Sequence, residues 1–175
     1  MELPKNKYQV IYADPAWRYD YSISNSRKIE NQYPTMDLND IKELKVNDIA
    51  DENCVLFLWA TSPKLTEALE VMQSWGFNYR TCLIWDKEVI GMGYWFRNQH
   101  ELLLVGTKGK ISPPNPKERI SSIFKEKRGK HSKKPDRIRE LIAEWYKSSL
   151  KIALFARQRY EGWDSWGNEL QASIC

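Results

Sequence analysis

The residues YADPAW at 12–17 bring a carboxylate, a ring-bound carbonyl and an indole together within four positions: Asp14, Pro15 and Trp17, with Ala16 between the last two. They follow the apolar run QVI at 9–11, so the acid stands where a strand ends. Pro15 has no N–H, but its carbonyl is an acceptor held by a stiff ring. Trp17 offers a flat π-face. Two acceptors beside an aromatic plate suit a planar group carrying an NH₂. The plate stacks the ring, the acceptors take the amino hydrogens, and the nitrogen lone pair turns toward an electrophile. The same letters also spell a strand-ending turn, where Asp and Pro are common and Trp simply packs. The spacing alone leaves both readings open.

Other chemistries find little support. His100 and His131 are the only histidines. No paired-histidine or nucleophilic-serine pattern stands out. His100 precedes an apolar strand and reads as structural; His131 sits in a basic loop and reads as solvated. Cys54, Cys82 and Cys175 are odd in number and widely spaced. They make no zinc pattern, no metal site is expected, and free thiols point to a reducing, cytoplasmic compartment. Residues 119–139 carry nine Lys/Arg against Glu126 and Asp136. Such a stretch attracts phosphates, although many charge runs are only solvated loops. GMGYWFR at 91–97 sets three aromatics beside Arg97, suited to stacking on a base or to covering the edge of a core. Of the eight tryptophans, Trp59, Trp75, Trp85 and Trp145 read as core and Trp163 and Trp166 as filling the space near the loop 157–168, which leaves Trp17 and Trp95 for base contact.

The elements that must hold these residues alternate. Strands are expected at 8–13, 54–60, 78–85, 101–105 and 151–156. Helices are expected from Asp37 as N-cap, from 61–63 to about Trp75, and from 134–136 to Trp145. Alternation of this kind argues for an α/β sheet with helices on both faces. In such sheets ligands bind beyond the carboxyl ends of strands. The segments after 13, 60 and 156 would therefore share one crevice if their strands are neighbours. The stretches 91–98 and 108–133 read as long loops. At 175 residues and 42% hydrophobic, the chain reads as one globular domain, 1–175. No apolar run is long enough to span a membrane, residues 1–5 lack a signal-peptide core, and a net charge of +4 is too mild to prove a nucleic-acid partner.

Taken together, the segments point to a family. The DP-x-W corner resembles the DPPW signature of adenine-N6 methyltransferases related to the seventy-kilodalton mRNA adenosine methyltransferase. YPTM at 33–36, CVLFLWAT at 54–61, WGF at 75–77, IWDK at 84–87, ELLLVG at 101–106, SKKPD at 132–136 and FAR through WGNE at 155–169 resemble its further segments, in the same order. The shared order, across nearly the whole chain, is what makes the resemblance specific.

The resemblance implies a Rossmann-like methyltransferase fold with a mostly parallel sheet and permuted motif order. It implies S-adenosylmethionine as donor and the N6 amino group of adenine as acceptor. By it, Asp14 and the Pro15 carbonyl hold the amino group, Ala16 belongs to the catalytic corner, and Trp17 stacks on or walls the base. Lys134 is matched to the lysine that pairs with the methionine carboxylate. Asp14, Phe155, Arg157, Arg159, Asn168 and Glu169 are matched to cofactor contacts, Tyr33 to a tyrosine near the target base, and Glu101 to a buried acid near the site. Trp95, Arg97, Lys130 and Lys133 complete the expected substrate contacts. Methyl transfer needs proximity and in-line geometry more than a strong base, and an acid near the amine stabilises the cation it becomes.

The sequence departs from the family in two places. Ala16 replaces a second proline, which relaxes the backbone on both sides. Arg159 and Tyr160 replace a His-Asn pair, and the loop from 157 to 168 is shorter. DNA is the expected substrate, with RNA as the alternative. A cytosine-N4 enzyme, a catalytically weak nucleic-acid-binding partner subunit and a basic binding module without cofactor are competing readings. A homodimer or heterodimer is the expected way to hold the substrate.

Overall fold

The computed structural model describes residues 2–19, 35–129, 133–168 and 170. In chain order the elements are β1 (Tyr8–Ala13), α1 (Leu38–Glu43), α2 (Val46–Ile49), β2 (Ala50–Ala60), a 3-10 turn (Ser62–Lys64) leading into α3 (Leu65–Ser74), β3 (Asn78–Asp86) and β4 (His100–Lys108). A second 3-10 turn (Pro116–Glu118), β5 (Ile123–Lys125), α4 (Asp136–Trp145), β6 (Lys151–Leu154) and β7 (Asp164–Trp166) follow. The strands form one sheet in the order β5-β3-β4-β2-β1-β6-β7.

Strand pairing is parallel everywhere except on the two sides of β4. Six strands therefore run one way and β4 runs against them. The amino end of β4 consequently lies at the same sheet edge as the carboxyl ends of the others.

Both faces are covered, and this explains the near-continuous apolar runs of β1, β6 and the second half of β2. Successive side chains of a strand point to opposite faces. On one face Ile11, Ala13, Leu56, Leu58, Ile152 and Leu154 pack with Ile41 of α1, Val46 of α2 and Val71 and Met72 of α3. On the other, Val10, Tyr12, Val55, Phe57 and Ala153 pack with Ile138 and Ile142 of α4. Burying one such side chain stabilises by about 1.5–3 kcal/mol.

Local signals set the helix ends. Gly76 takes φ +83 after α3; its N–H bonds to the Gln73 carbonyl and that of Phe77 to Met72, closing a Schellman motif. The WGF segment is thus a helix terminator. Asp37 occupies the N-cap position of α1, but its carboxylate pairs with Arg18 instead of capping a backbone N–H.

Three expectations need correction. The last long strand stops at Leu154, because Phe155 turns left-handed at φ 59. The stretch 108–133 is not all loop: it contains the 3-10 turn and β5, too short to leave a periodic signal. Trp145 is half-buried and donates its indole N–H to the Glu118 carbonyl, whereas Trp59, Trp75 and Trp85 are core. Among the described residues no helix is long and apolar enough to cross a membrane.

Candidate active site

Strand β1 lies between β2 and β6 and is parallel to both, with Ala13 opposite Leu58 on one side and Leu154 on the other. The connection from β1 to β2 crosses one face by α1 and α2, and the connection from β5 into β6 crosses the other by α4. This is a topological switch point, where an open α/β sheet leaves a crevice. The next residue out of β1 is Asp14. The three segments expected to converge, after 13, 60 and 156, do so, the third starting already at Phe155 because β6 ends at Leu154.

Two adjoining hollows open here. One, of about 100 Å³, is lined by Asp14, Pro15, Ala16 and Trp17, by Tyr19, Trp59 and Thr61, and by Glu101, Lys134 and Arg157. The other, of about 230 Å³, is lined by Tyr12, Asp14, Lys133, Lys134, Arg139, the wall 153–158 and Tyr160. Asp14, Lys134 and Arg157 border both. A carboxylate and two cations thus form the partition between two chambers.

The partition is a tight charge cluster. Lys134 Nζ lies 2.9 Å from Asp14 Oδ1 and 3.3 Å from Glu101 Oε2, while Lys87 Nζ lies 3.3 Å from the other oxygen of Glu101. Glu101 reaches this place from the amino end of the reversed strand β4. Burial lifts the Asp14 carboxyl above the usual carboxylate range; Lys134 pulls it down, Glu101 adds to the lift and Arg157 opposes it. Burial alone would lower the Lys134 ammonium, yet Asp14 and Glu101 outweigh that and hold it above the usual lysine range.

The corner has a defined backbone. The Trp17 N–H donates to the Pro15 carbonyl at 2.9 Å, a γ-turn centred on Ala16, and the Ala16 carbonyl accepts from the Met36 N–H at 3.0 Å. One lone pair of the Pro15 carbonyl is therefore used by the turn and one remains for a ligand. Trp17 is only 6% exposed, and its indole N–H donates to the Trp59 carbonyl. It is a fixed wall of the smaller hollow rather than a plate standing in solvent.

Several residues at the site carried no signal of their own in the sequence. Tyr12 lies two positions before Asp14, on the same side of β1, and lines the larger hollow. Its hydroxyl accepts the Trp59 indole N–H at 2.6 Å, and burial pushes the phenol above its usual range. Arg139 of α4 stacks on the Tyr160 ring at 3.5 Å. Tyr19 and Thr61 share a hydrogen bond of 2.6 Å at the rim of the smaller hollow. Strand alternation from Asp14 is the one signal that could have found Tyr12; nothing in the spacing of Arg139 and Tyr160 links them.

The remaining expected residues fall as follows. Phe155 and Arg157 line the larger hollow. Gly167 seats against Phe155 and Ala156 so closely that a Cβ there would lie 2.3 Å from the Ala156 carbonyl oxygen. Asn168 and Arg159 are exposed and line neither hollow. Lys133 pairs with Asp136 at 2.5 Å and borders the larger hollow, not the smaller one. Trp95 and Arg97 stand in an exposed loop at the same sheet edge, with the Arg97 Nε donating to the Gly91 carbonyl. Tyr33, Lys130 and Glu169 lie outside the described residues, as does His131. His100 bonds Ser62 at 2.8 Å. Among the described residues no group of three or more His, Cys, Asp or Glu is placed to hold a metal.

Chemically, the cluster offers an acceptor and a carbonyl for an amino group on one side. On the other it offers cations, an acid and an aromatic ring, a donor set that fits a zwitterionic nucleoside. No general base with a free histidine or thiol is present among the lining residues.

A family model described as MT-A70 matches residues 8–169. The chain is 36% identical over 187 residues to the type II methyltransferase M.MunI of Mycoplasma sp, covering 97% of this chain and 80% of that protein. It is 29% identical over 174 residues to the human N(6)-adenosine-methyltransferase catalytic subunit METTL3, covering 94% of this chain and 28% of that protein. Against the mouse N(6)-adenine-specific methyltransferase METTL4 it is 25% identical over 182 residues, covering 37% of that protein.

Proposed function

The chain belongs to the MT-A70 family, and from that premise we propose that it transfers the methyl group of S-adenosylmethionine to the N6 amino group of adenine in DNA. The observation that carries this reading is the shared border of the two hollows, formed by Asp14, Lys134 and Arg157. A methyl donor in the larger and an adenine in the smaller would meet across Asp14.

The residues present fit that donor. Asp14 accepts from an α-ammonium, Lys134 and Arg157 attract a carboxylate, and Tyr160 with its stacked Arg139 offers a face to a purine. When bound, S-adenosylmethionine supplies an electrophilic methyl on a sulfonium. The chain's own task is positional. Asp14 and the free lone pair of the Pro15 carbonyl hold the two amino hydrogens, which aims the nitrogen lone pair away from them. The amine becomes cationic as it attacks, and the Asp14 carboxylate stabilises that charge in a site where water is scarce. Trp17 walls the base, and Tyr33, Glu169 and Asn168 are assigned base and ribose contacts on resemblance alone.

DNA is preferred because the similarity spanning most of both chains is to a bacterial type II methyltransferase. RNA is the second reading, favoured by the similarity to METTL3. A silent partner subunit is disfavoured because Asp14, Pro15 and Trp17 are all retained at the cluster. The free thiols Cys54 and Cys82 suit the cytoplasm. On this reading residues 1–175 act as one methyltransferase domain, which holds its substrate by pairing as a homodimer or heterodimer.

The test is tritiated-methyl transfer to DNA and RNA followed by nucleoside analysis. N6-methyladenine from DNA is the expected product, and Asp14→Ala should abolish it while the fold and duplex binding persist. Transfer only to RNA would favour the second reading. A folded wild type that binds no S-adenosylmethionine in calorimetry would end the enzyme reading.

A further inference from the structure

The loop between β3 and β4 keeps its largest apolar side chains in water. Trp95 is 95% exposed, Phe96 85% and Tyr94 82%, with Met92 and Ile90 also exposed. The loop is nevertheless braced. The Lys87 N–H bonds the Gln99 carbonyl, the Gly91 N–H bonds the Asn98 carbonyl, and the Asn98 N–H bonds Met92. Arg97 ties back to Gly91, and Gly93 lies so close to Phe96 that a Cβ there would strike its carbonyl. A contiguous apolar patch held rigidly in solvent marks an interaction surface.

What lies beside it identifies the partner. Strand β5 pairs parallel to β3, with Asp86 opposite Lys125. The chain after β5 then runs alongside the root of the aromatic loop: Glu126 N–H bonds the Asp86 carbonyl and Arg128 N–H bonds the Lys87 carbonyl. Lys125, Lys127 and Arg128, all exposed, are thereby set next to a loop some thirty positions earlier in the chain. None of the three forms an ion pair among the described residues. Lys87, at the loop root, reaches Glu101 and through it Lys134, so this surface adjoins the candidate active site.

We propose that the aromatic loop 90–98 and the basic segment 125–128 form one nucleic-acid-binding surface, in which the aromatics stack on bases and the cations neutralise phosphates of the DNA being methylated. The proposal rests on the methyltransferase reading for the identity of its substrate. Aromatic rings beside cations are what single strands and opened duplexes require: every base has a π-face and every step a phosphate. The backbone carbonyl of Glu126, the single acid in the strip, accepts from the Trp85 indole N–H, which ties the strip's backbone to the scaffold. The basic run in the sequence continues to Arg139, but its later part is spent internally: Lys133 and Arg139 pair with Asp136, and Arg137 with Glu144.

The test is fluorescence anisotropy of a short fluorescein-labelled duplex DNA and its single strand, across a range of salt and without S-adenosylmethionine. All altered side chains are exposed, and circular dichroism checks the fold. Trp95→Ala combined with Phe96→Ala should weaken binding about tenfold or more with an unchanged salt slope, because stacking carries no counterion release. Lys125→Gln, Lys127→Gln and Arg128→Gln together should flatten the slope of log K against log salt by roughly 2–3, at about 0.9 per phosphate lost. Wild-type affinity in the aromatic variant, or an unchanged slope in the basic one, overturns the proposal. Calorimetry with S-adenosylmethionine should give the same affinity for all three proteins. A wild type that binds DNA through this surface yet transfers no methyl group would sink the catalytic reading and leave this one standing.

Discussion

Lys134 Nζ stands 2.9 Å from Asp14 Oδ1 while also reaching Glu101, so one ammonium serves two carboxylates at the boundary of the two hollows. Removing either neighbour of Asp14 therefore pushes its ionisation in opposite directions.

The pH profile should show this. Asp14 must be ionised to hold the amino group, and its carboxyl is raised above the usual range mainly by burial. The acid limb of kcat/KM is expected above the ordinary aspartate range. Glu101→Gln removes a like charge and should move that limb to lower pH; Lys134→Met should move it higher. A carboxyl with a raised folded pKa favours the fold below the unfolded value and loses that contribution as pH climbs through the folded one. Lys134, raised above its usual range, keeps its contribution below that range and loses it only in strong alkali. Limbs that shift together in the two variants would refute the assignment.

Ala16 is the centre of a γ-turn and is not among the left-handed residues. The inverse γ-turn has φ near −75°, which proline supplies. Among the described residues none accepts a backbone hydrogen bond from the Ala16 N–H. Ala16→Pro should therefore raise stability by about 0.4–1 kcal/mol, through the unfolded chain, and leave turnover equal or higher. Urea melts and initial rates decide it; a large loss of turnover in a folded variant would show that the corner does not tolerate the family's backbone.

Tyr12 and Trp59 form a buried couple, with the indole donating to the phenol. Tyr12→Phe leaves that donor unmatched and should cost about 1–3 kcal/mol. Trp59→Phe on the same background removes the stranded N–H, so the double variant should be less unstable than the sum of the singles. Additive losses in denaturant melts would mean that the bond contributes nothing. Because Tyr12 lines the larger hollow, Tyr12→Phe should also weaken S-adenosylmethionine binding.

The legible parts of this protein were those with strong one-dimensional patterns. Apolar continuity marked β1 and β2 because both are covered on two faces, and Tyr8–Ala13 appears as read. β5 and β7 were not legible: at three residues each, they exist because a neighbouring strand offers an edge, not because of their own composition. The direction of β4 was equally invisible, since an apolar strand reads the same either way.

The sequence by itself determined which chemistries were open: an acid, a carbonyl and an indole at a strand end, few histidines, and motifs in family order. Only the tertiary structure decided what they meet. Reversal of β4 carries Glu101 to the edge where β1 and β6 end, and pairing of β5 with β3 draws basic residues beside a distant aromatic loop. The physical reason is that charge and stacking act through space over a few ångströms, whereas the spacing that sets those distances comes from sheet order, which no local run of residues encodes.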